Sequence, residues 1–77
     1  MSIDINKLHT TLLGEERIKR NLKITNNPVE YCKNKIKNSH NIIRKGKNYY
    51  IEDYDCIITV NAYSYTIITA HRKKEKQ

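Results

Sequence analysis

The spacing of apolar residues divides this chain into a helical first half and a stranded second half. Ile5, Leu8 and Leu12 recur at i, i+3 and i+7, and Ile18 and Leu22 continue with a second stripe. This predicts a helix over residues 4–23 with a break or kink at Gly14. Glu15 and Glu16 then stand where acids favour a helix start, and Arg17, Lys19, Arg20 and Lys23 lie off the apolar stripe. Thr25-Asn26-Asn27-Pro28 is the clearest punctuation. Asn27 suits an N-cap, Pro28 the first helical position and Glu30 the third. Val29, Cys32 and Ile36 should face the core of this second helix, which ends near Asn38, while Lys33 and Lys37 line a solvent flank.

Beyond residue 40 the period changes from helical to alternating. Four strands are predicted, at 41–45, 48–53, 56–61 and 63–71, rich in Ile, Thr, Tyr and Val. Gly46, Asp53-Tyr54-Asp55 and Asn61-Ala62-Tyr63 supply the turns. Connections this short make each strand antiparallel to the one before. The expected fold is α+β: two N-terminal helices packed on one face of a four-stranded antiparallel meander, in the order ααββββ. Residues 1–77 form one domain, with 73–77 expected to be a frayed tail.

Alternation also sorts the strands into faces. Cys56, Ile58 and Val60 form an apolar set that should meet the helices, with Ile57, Thr59 and Asn61 opposite. In the last strand strict alternation puts Thr66, Ile68 and Ala70 inside. Tyr65, Ile67, Thr69 and His71 then fall on the open face.

Composition adds charge to this picture. The 77 residues carry a net charge of +7, with six tyrosines and neither Phe nor Trp. The cationic excess lies in the second half, where ten Lys/Arg oppose four Asp/Glu, against five and four in residues 1–30. Such a balance favours nucleic acid, an anionic membrane or an acidic protein surface, although Lys-rich surfaces also serve solubility. No stretch is long and apolar enough to span a membrane, and neither helix pairs a basic face with a broad apolar one, so a membrane partner is not expected. Cys32 and Cys56 fall in different elements, without a CxxC pair or matched histidines. The expectation is therefore no metal, no cofactor and free thiols in a reducing cytoplasm. A chain this short has a lean core, and a homodimer would bury more of it.

The open face then collects the candidate chemistry. Tyr65 would stack a base, Asn61 and Thr69 would offer polar contacts, and Arg44, Lys45, Lys47 and Arg72 would hold phosphate. An imidazole can move protons in cleavage by an RNA 2′-hydroxyl, so His71 is the candidate general acid or base, with Arg72 or Arg44 stabilising charge on the phosphorane. The plainer reading is a half-exposed sheet surface whose Tyr and Thr reflect strand preference, ending in a surface histidine. His9 reads as a flank of the first helix and His40 as part of the helix-to-strand loop. Turn chemistry accounts for Glu52, Asp53 and Asp55 better than a metal does.

Lys7-Leu-His-Thr-Thr11, Gly14-Glu-Glu-Arg-Ile18, Asn21-Leu22, Tyr31-Cys-Lys-Asn34, Arg44-Lys-Gly-Lys-Asn48 and Cys56 through His71 resemble a family of small bacterial proteins of unknown function, over nearly the whole chain. The closing Ile67-Ile-Thr-Ala-His-Arg-Lys73 is similar to the last strand of BrnT-type toxins, within the RelE-like ribonucleases. That second resemblance implies helices behind the sheet and metal-independent cleavage of mRNA on the open face. It departs from the pattern where His71 stands in place of an Arg, and where a first strand before the opening helix is not evident.

Two functional classes follow. The leading one is a basic nucleic-acid-binding domain, with RNA favoured, that extends to a RelE-like metal-independent endoribonuclease if His71 acts as proposed. The alternative is a non-enzymatic inhibitor or accessory protein of phage or mobile-element type, docking on a nucleic-acid-processing complex. Small nucleotides fit less well, because Gly46 stands alone where a phosphate loop needs several glycines.

Overall fold

A computed structural model describes residues 3–39 and 41–73. Its two helices are α1 (Leu12–Leu22) and α2 (Pro28–Asn38). They precede strands β1 (Ile42–Lys45), β2 (Asn48–Glu52), β3 (Cys56–Asn61) and β4 (Ile67–Arg72). The strands form one antiparallel sheet in the order β1-β2-β3-β4, so the expected ααββββ meander is the observed architecture.

The caps explain the helix limits. Asn27 Oδ1 accepts the backbone N–H groups of Val29 at 2.9 Å and Glu30 at 3.1 Å, and Pro28 opens α2 without wasting a donor. Thr11 Oγ1 accepts the Gly14 N–H at 3.0 Å to start α1. The helix ends at Lys23, which takes a left-handed conformation with φ 58°, and the Ile24 N–H returns to the Lys19 carbonyl.

The single helix expected over 4–23 is corrected by this arrangement. One 3-10 turn at Ile5–Lys7 is followed by an extended segment, and α1 begins only at Leu12. Gly14 lies within the first turn of α1 and breaks nothing. The extended segment has a better use for its backbone than a helix would. The His9 N–H donates to the Tyr65 carbonyl, its carbonyl accepts from the Ile67 N–H at 2.7 Å, and Thr10 Oγ1 donates to the Ile67 carbonyl at 2.9 Å. His9 thus forms a parallel bridge with Thr66 and covers the start of the β4 edge. Leu8 is buried here, but Leu12 is 75% exposed, so the apparent i, i+3, i+7 stripe mixed two elements. A Cβ at Gly14 would collide with Thr10 Oγ1, which explains the missing side chain at this position.

The core lies between the helices and one sheet face. Ile18 and Leu22 of α1 and Cys32 and Ile36 of α2 pack with Ile51, Cys56, Ile58, Val60, Ile67 and Ala70. α1 runs beside β4. The last strand departs from strict alternation because its register with β3 shifts: Thr59 pairs with Thr69, but Val60 pairs with Ile67. Ile68 is the extra residue of a bulge and is exposed, so both Ile67 and Ala70 reach the core. The expected places of Ile67 and Ile68 are therefore exchanged.

Gly46 has φ 63° at the first of the two residues between the paired Lys45 and Asn48, the type II′ hairpin pattern. This turn and the 62–66 turn lie at one end of the sheet, and the 53–55 turn lies at the other. At that second end Lys73 is tied down: its N–H donates to the Asp55 carbonyl at 3.0 Å, and its ammonium meets Glu52 at 3.1 Å. Residues 74–77 of the expected tail, and His40, lie outside the described residues.

Candidate functional site

Among the described residues no helix covers the outer sheet face, and cross-strand register arranges its side chains in three rows. Lys45, Asn48 and Asn61 form the row nearest the β1–β2 turn. Ile43, Tyr50, Thr59 and Thr69 form the middle row, and Glu52, Ile57 and His71 the last. Thr59 is buried within this face by its neighbours, so the surface is a packed one of mixed polarity. A shallow groove lies along Ile43, Lys45 and Tyr50. The Asn48 amide nitrogen donates to the Tyr50 hydroxyl at 3.4 Å, at the junction of the first two rows.

Of the eight residues singled out from the sequence, four lie on this face: Lys45, Asn61, Thr69 and His71. Lys47 is exposed in the adjoining turn. The other three lie elsewhere. Tyr65 has φ 60°, is half-buried against the core, and carries the Lys7 ammonium over its ring at 5.6 Å. The tyrosine on the open face is instead Tyr50, while Tyr63 lies in the 62–66 turn on the Arg44 side of the sheet. A bulge and a left-handed residue defeat an alternation argument, so only the tertiary register could show this.

Arg44 pairs with Tyr49 on the helix-facing side. Its guanidinium lies 5.6 Å from the Tyr49 ring centre and 5.3 Å from that of Tyr63, donates to the Tyr63 hydroxyl at 3.3 Å, and donates through Nε to the Gly46 carbonyl at 2.8 Å. Arg72 also points to the helix side. Its Nη2 and Nε donate to the Leu22 carbonyl at 2.7 and 3.1 Å, closing the C-terminus of α1, and its Nη1 meets Asp55 at 3.3 Å.

This placement separates the groups that cleavage would need together. His71 and Arg72 are successive residues of one strand and face opposite ways. His71 and Lys45 share a face, but they are three strands apart and at opposite ends of it. Strand and residue spacings put them about 14 Å apart in each direction. His71 is therefore separated from both Arg72 and Lys45, and the nearby Lys73 is paired with Glu52.

The two ends of the sheet differ in charge. At the β2–β3 turn, Lys35 of α2 meets Asp53 at 3.1 Å and Asp55 at 3.4 Å, Arg72 meets Asp55, and Lys73 meets Glu52. The Asp53 hydrogen bond raises the Lys35 pKa above its usual value, against a smaller opposing effect of burial. Burial works against the Asp53 charge, yet the Tyr54 N–H and Lys35 hold its carboxyl below its ordinary value. Asp53, Asp55 and the Cys56 thiol offer ligand atoms within 4.8 Å of one another, but the carboxylates are already held by cations. Burial, followed by the charge of Asp55, pushes the Cys56 thiol up. The Cys32 thiol is pushed up to about 12, first by burial and then by its neighbour Cys56. Both are free and buried, in the environment of inert core thiols rather than nucleophiles. At the other end, no ion pair among the described residues involves Arg44, Lys45 or Lys47.

The chain matches the family model described as "Protein of unknown function (DUF3781)" over residues 2–71, and so belongs to that family. No curated protein and no solved structure shows significant similarity to it. The resemblance to RelE-like toxins accordingly has no support from these comparisons. Among the described residues, no helix is long and apolar enough to cross a membrane.

Proposed function

We propose that this protein is a nucleic-acid-binding module that takes RNA along the open sheet face and the two turns at its basic end. The observation that carries this reading is the contrast in charge pairing. The carboxylates of Glu52, Asp53 and Asp55 are engaged by Lys35, Arg72 and Lys73, whereas Arg44, Lys45 and Lys47 have no partner among the described carboxylates and stand near the exposed Tyr63 and the half-buried Tyr50, Asn48 and Asn61. Cations free to meet phosphates, next to rings that accept bases, form a platform for single strands. α1 carries a second basic stripe of Arg17, Lys19, Arg20 and Lys23, all exposed, but it lies on the helix layer and away from the open sheet face. The separation of His71 from Arg44, Lys45 and Arg72 favours binding over cleavage.

The test is incubation of the purified protein with total RNA and labelled oligonucleotides in EDTA, beside Lys45→Ala/Lys47→Ala and His71→Ala. Intact RNA and salt-dependent binding lost in the lysine variant are the expected result. Discrete cleavage lost in His71→Ala would replace this reading with a metal-independent nuclease. Neither binding nor cleavage would refute both and favour a non-enzymatic inhibitor or accessory role on an acidic protein surface. A variant of the α1 cations that abolished binding, with the sheet variants neutral, would move the site to the helix layer.

A further inference from the structure

We infer that Tyr63 is the seat for a single unpaired base, held by the Arg44 guanidinium that also contacts Tyr49 at the basic end of the sheet. The inference rests on the nucleic-acid reading above and narrows its ligand to single strands. Tyr63 is 75% exposed. Exposure alone would mean little, and Tyr54 is more exposed still. Tyr63 differs in being held at both ends.

Its backbone is fixed by the turn. Asn61 Oδ1 accepts both the Tyr63 and the Ser64 N–H at 2.9 Å, the Tyr65 N–H returns to the Asn61 carbonyl, and the Ala62 N–H donates to the Lys47 carbonyl at 2.8 Å. That last bond ties the 62–66 turn to the β1–β2 hairpin. The ring is held by Arg44, which donates to the Tyr63 hydroxyl and is in contact range of both Tyr63 and the buried Tyr49. Arg44 is itself braced on the Gly46 carbonyl. A guanidinium beside one part of a ring leaves the rest to solvent and adds positive charge next to it.

A base stacked there meets a pre-positioned surface, so little side-chain freedom is lost on binding. Its flanking phosphate would pass Lys47, in the hairpin turn bonded to Ala62, which has no partner among the described carboxylates. A duplex keeps its base faces stacked internally and cannot use such a seat. The occupant is thus an unpaired base in a polyanionic strand, which the test separates from a duplex and from phosphate binding alone.

The experiment compares the full chain and two variants, Tyr63→Ala and Tyr63→Phe, against three probes: a short labelled oligoadenylate, an abasic oligomer of equal length and a duplex. Wild type should prefer the oligoadenylate, and Tyr63→Ala should lose about tenfold in affinity for it, within the range for one stacked base. The same variant should bind the abasic strand as wild type does, with an unchanged salt slope, and Tyr63→Phe should stay within about twofold of wild type for the oligoadenylate. The ring is surface-exposed, and thermal melts of both variants should superimpose on wild type, which separates lost binding from lost fold. Equal binding of abasic and base-carrying strands, or of duplex and single strand, would overturn the stacking seat while leaving phosphate binding intact. Failure of wild type to bind any probe would overturn the nucleic-acid reading and this inference with it.

Discussion

The two ends of the sheet use the same kinds of residue to opposite purposes. At the β2–β3 turn, Lys35, Arg72 and Lys73 are spent on Asp53, Asp55, Glu52 and the last carbonyl of α1. These cations join α2, α1 and β4 to the turn, and their charge is cancelled locally. At the β1–β2 turn, Lys45 and Lys47 meet no described carboxylate, and Arg44 holds two tyrosine rings instead of an acid. A net charge of +7 says nothing about which lysines are available. Pairing decides it: the acidic residues sit at one end, so the uncompensated field of the sheet belongs to the other.

The largest effect expected from breaking this contrast is at Arg72. Arg72→Ala removes two charge-assisted bonds to the Leu22 carbonyl and should cost about 2 kcal/mol of stability. For a domain this small the melting temperature should fall by roughly 10 °C. RNA affinity of the folded variant should remain within about twofold. A large loss of affinity at unchanged stability would make Arg72 a binding residue and erase the distinction between the ends.

Next in size is the reciprocal change. Lys45→Ala/Lys47→Ala should weaken RNA binding by about tenfold or more at low salt and lower the salt slope by about 2, with an unchanged denaturation midpoint. Loss of stability without loss of affinity would mean that these lysines serve the fold.

The acidic end should also show in the pH profile. The depressed pKa of Asp53 means that its ion pair contributes stability above its ordinary value of 3.8, and that this is lost as pH falls through the lower folded value. Lys35 has the opposite sign. Its contribution is fully present below its ordinary value of 10.5 and is lost as pH rises through the higher folded value. Stability should therefore be flat between these limits as far as this pair is concerned. Asp53→Asn should remove about 1 kcal/mol at neutral pH and flatten the acid limb. An acid limb identical in Asp53→Asn and wild type would assign the loss to another carboxylate.

The smallest effect on stability concerns backbone conformation. Lys23 occupies a left-handed position that suits glycine, and Lys23→Gly should stabilise the protein by about 0.5 kcal/mol. Since Lys23 belongs to the α1 stripe, unchanged RNA affinity in this variant would also support placement of the site on the sheet. A weaker complex would favour the helix layer.

The parts of the fold legible in the sequence were those written in local chemistry. Asn27-Pro28 marks a helix start because its cap lies within three residues of it, and the predicted and observed limits of α2 agree. Cys56 to Asn61 reads as a strand with the correct inward face, since the bulge between β3 and β4 puts its extra residue in β4 and leaves the alternation of β3 intact. The lone Gly46 between lysines was enough to place the first hairpin.

What only the tertiary structure decided was every feature in which one segment answers to a distant one. Leu8 to Thr11 is extended because the β4 edge offers it hydrogen bonds, and no residue within the segment announces that edge. Ile67 is buried and Ile68 exposed because β3 and β4 share a bulge, a property of the pair rather than of either strand. Arg72 turned from the candidate phosphate ligand of the sequence into the cap of a helix fifty positions earlier, and Tyr63 replaced Tyr65 as the presented ring. The sequence by itself determined the elements, their order and the surplus of positive charge, because propensity, capping and composition are local quantities. Register, pairing of charges and the orientation of rings are energies between segments, and so the location of the candidate site had to wait for the fold.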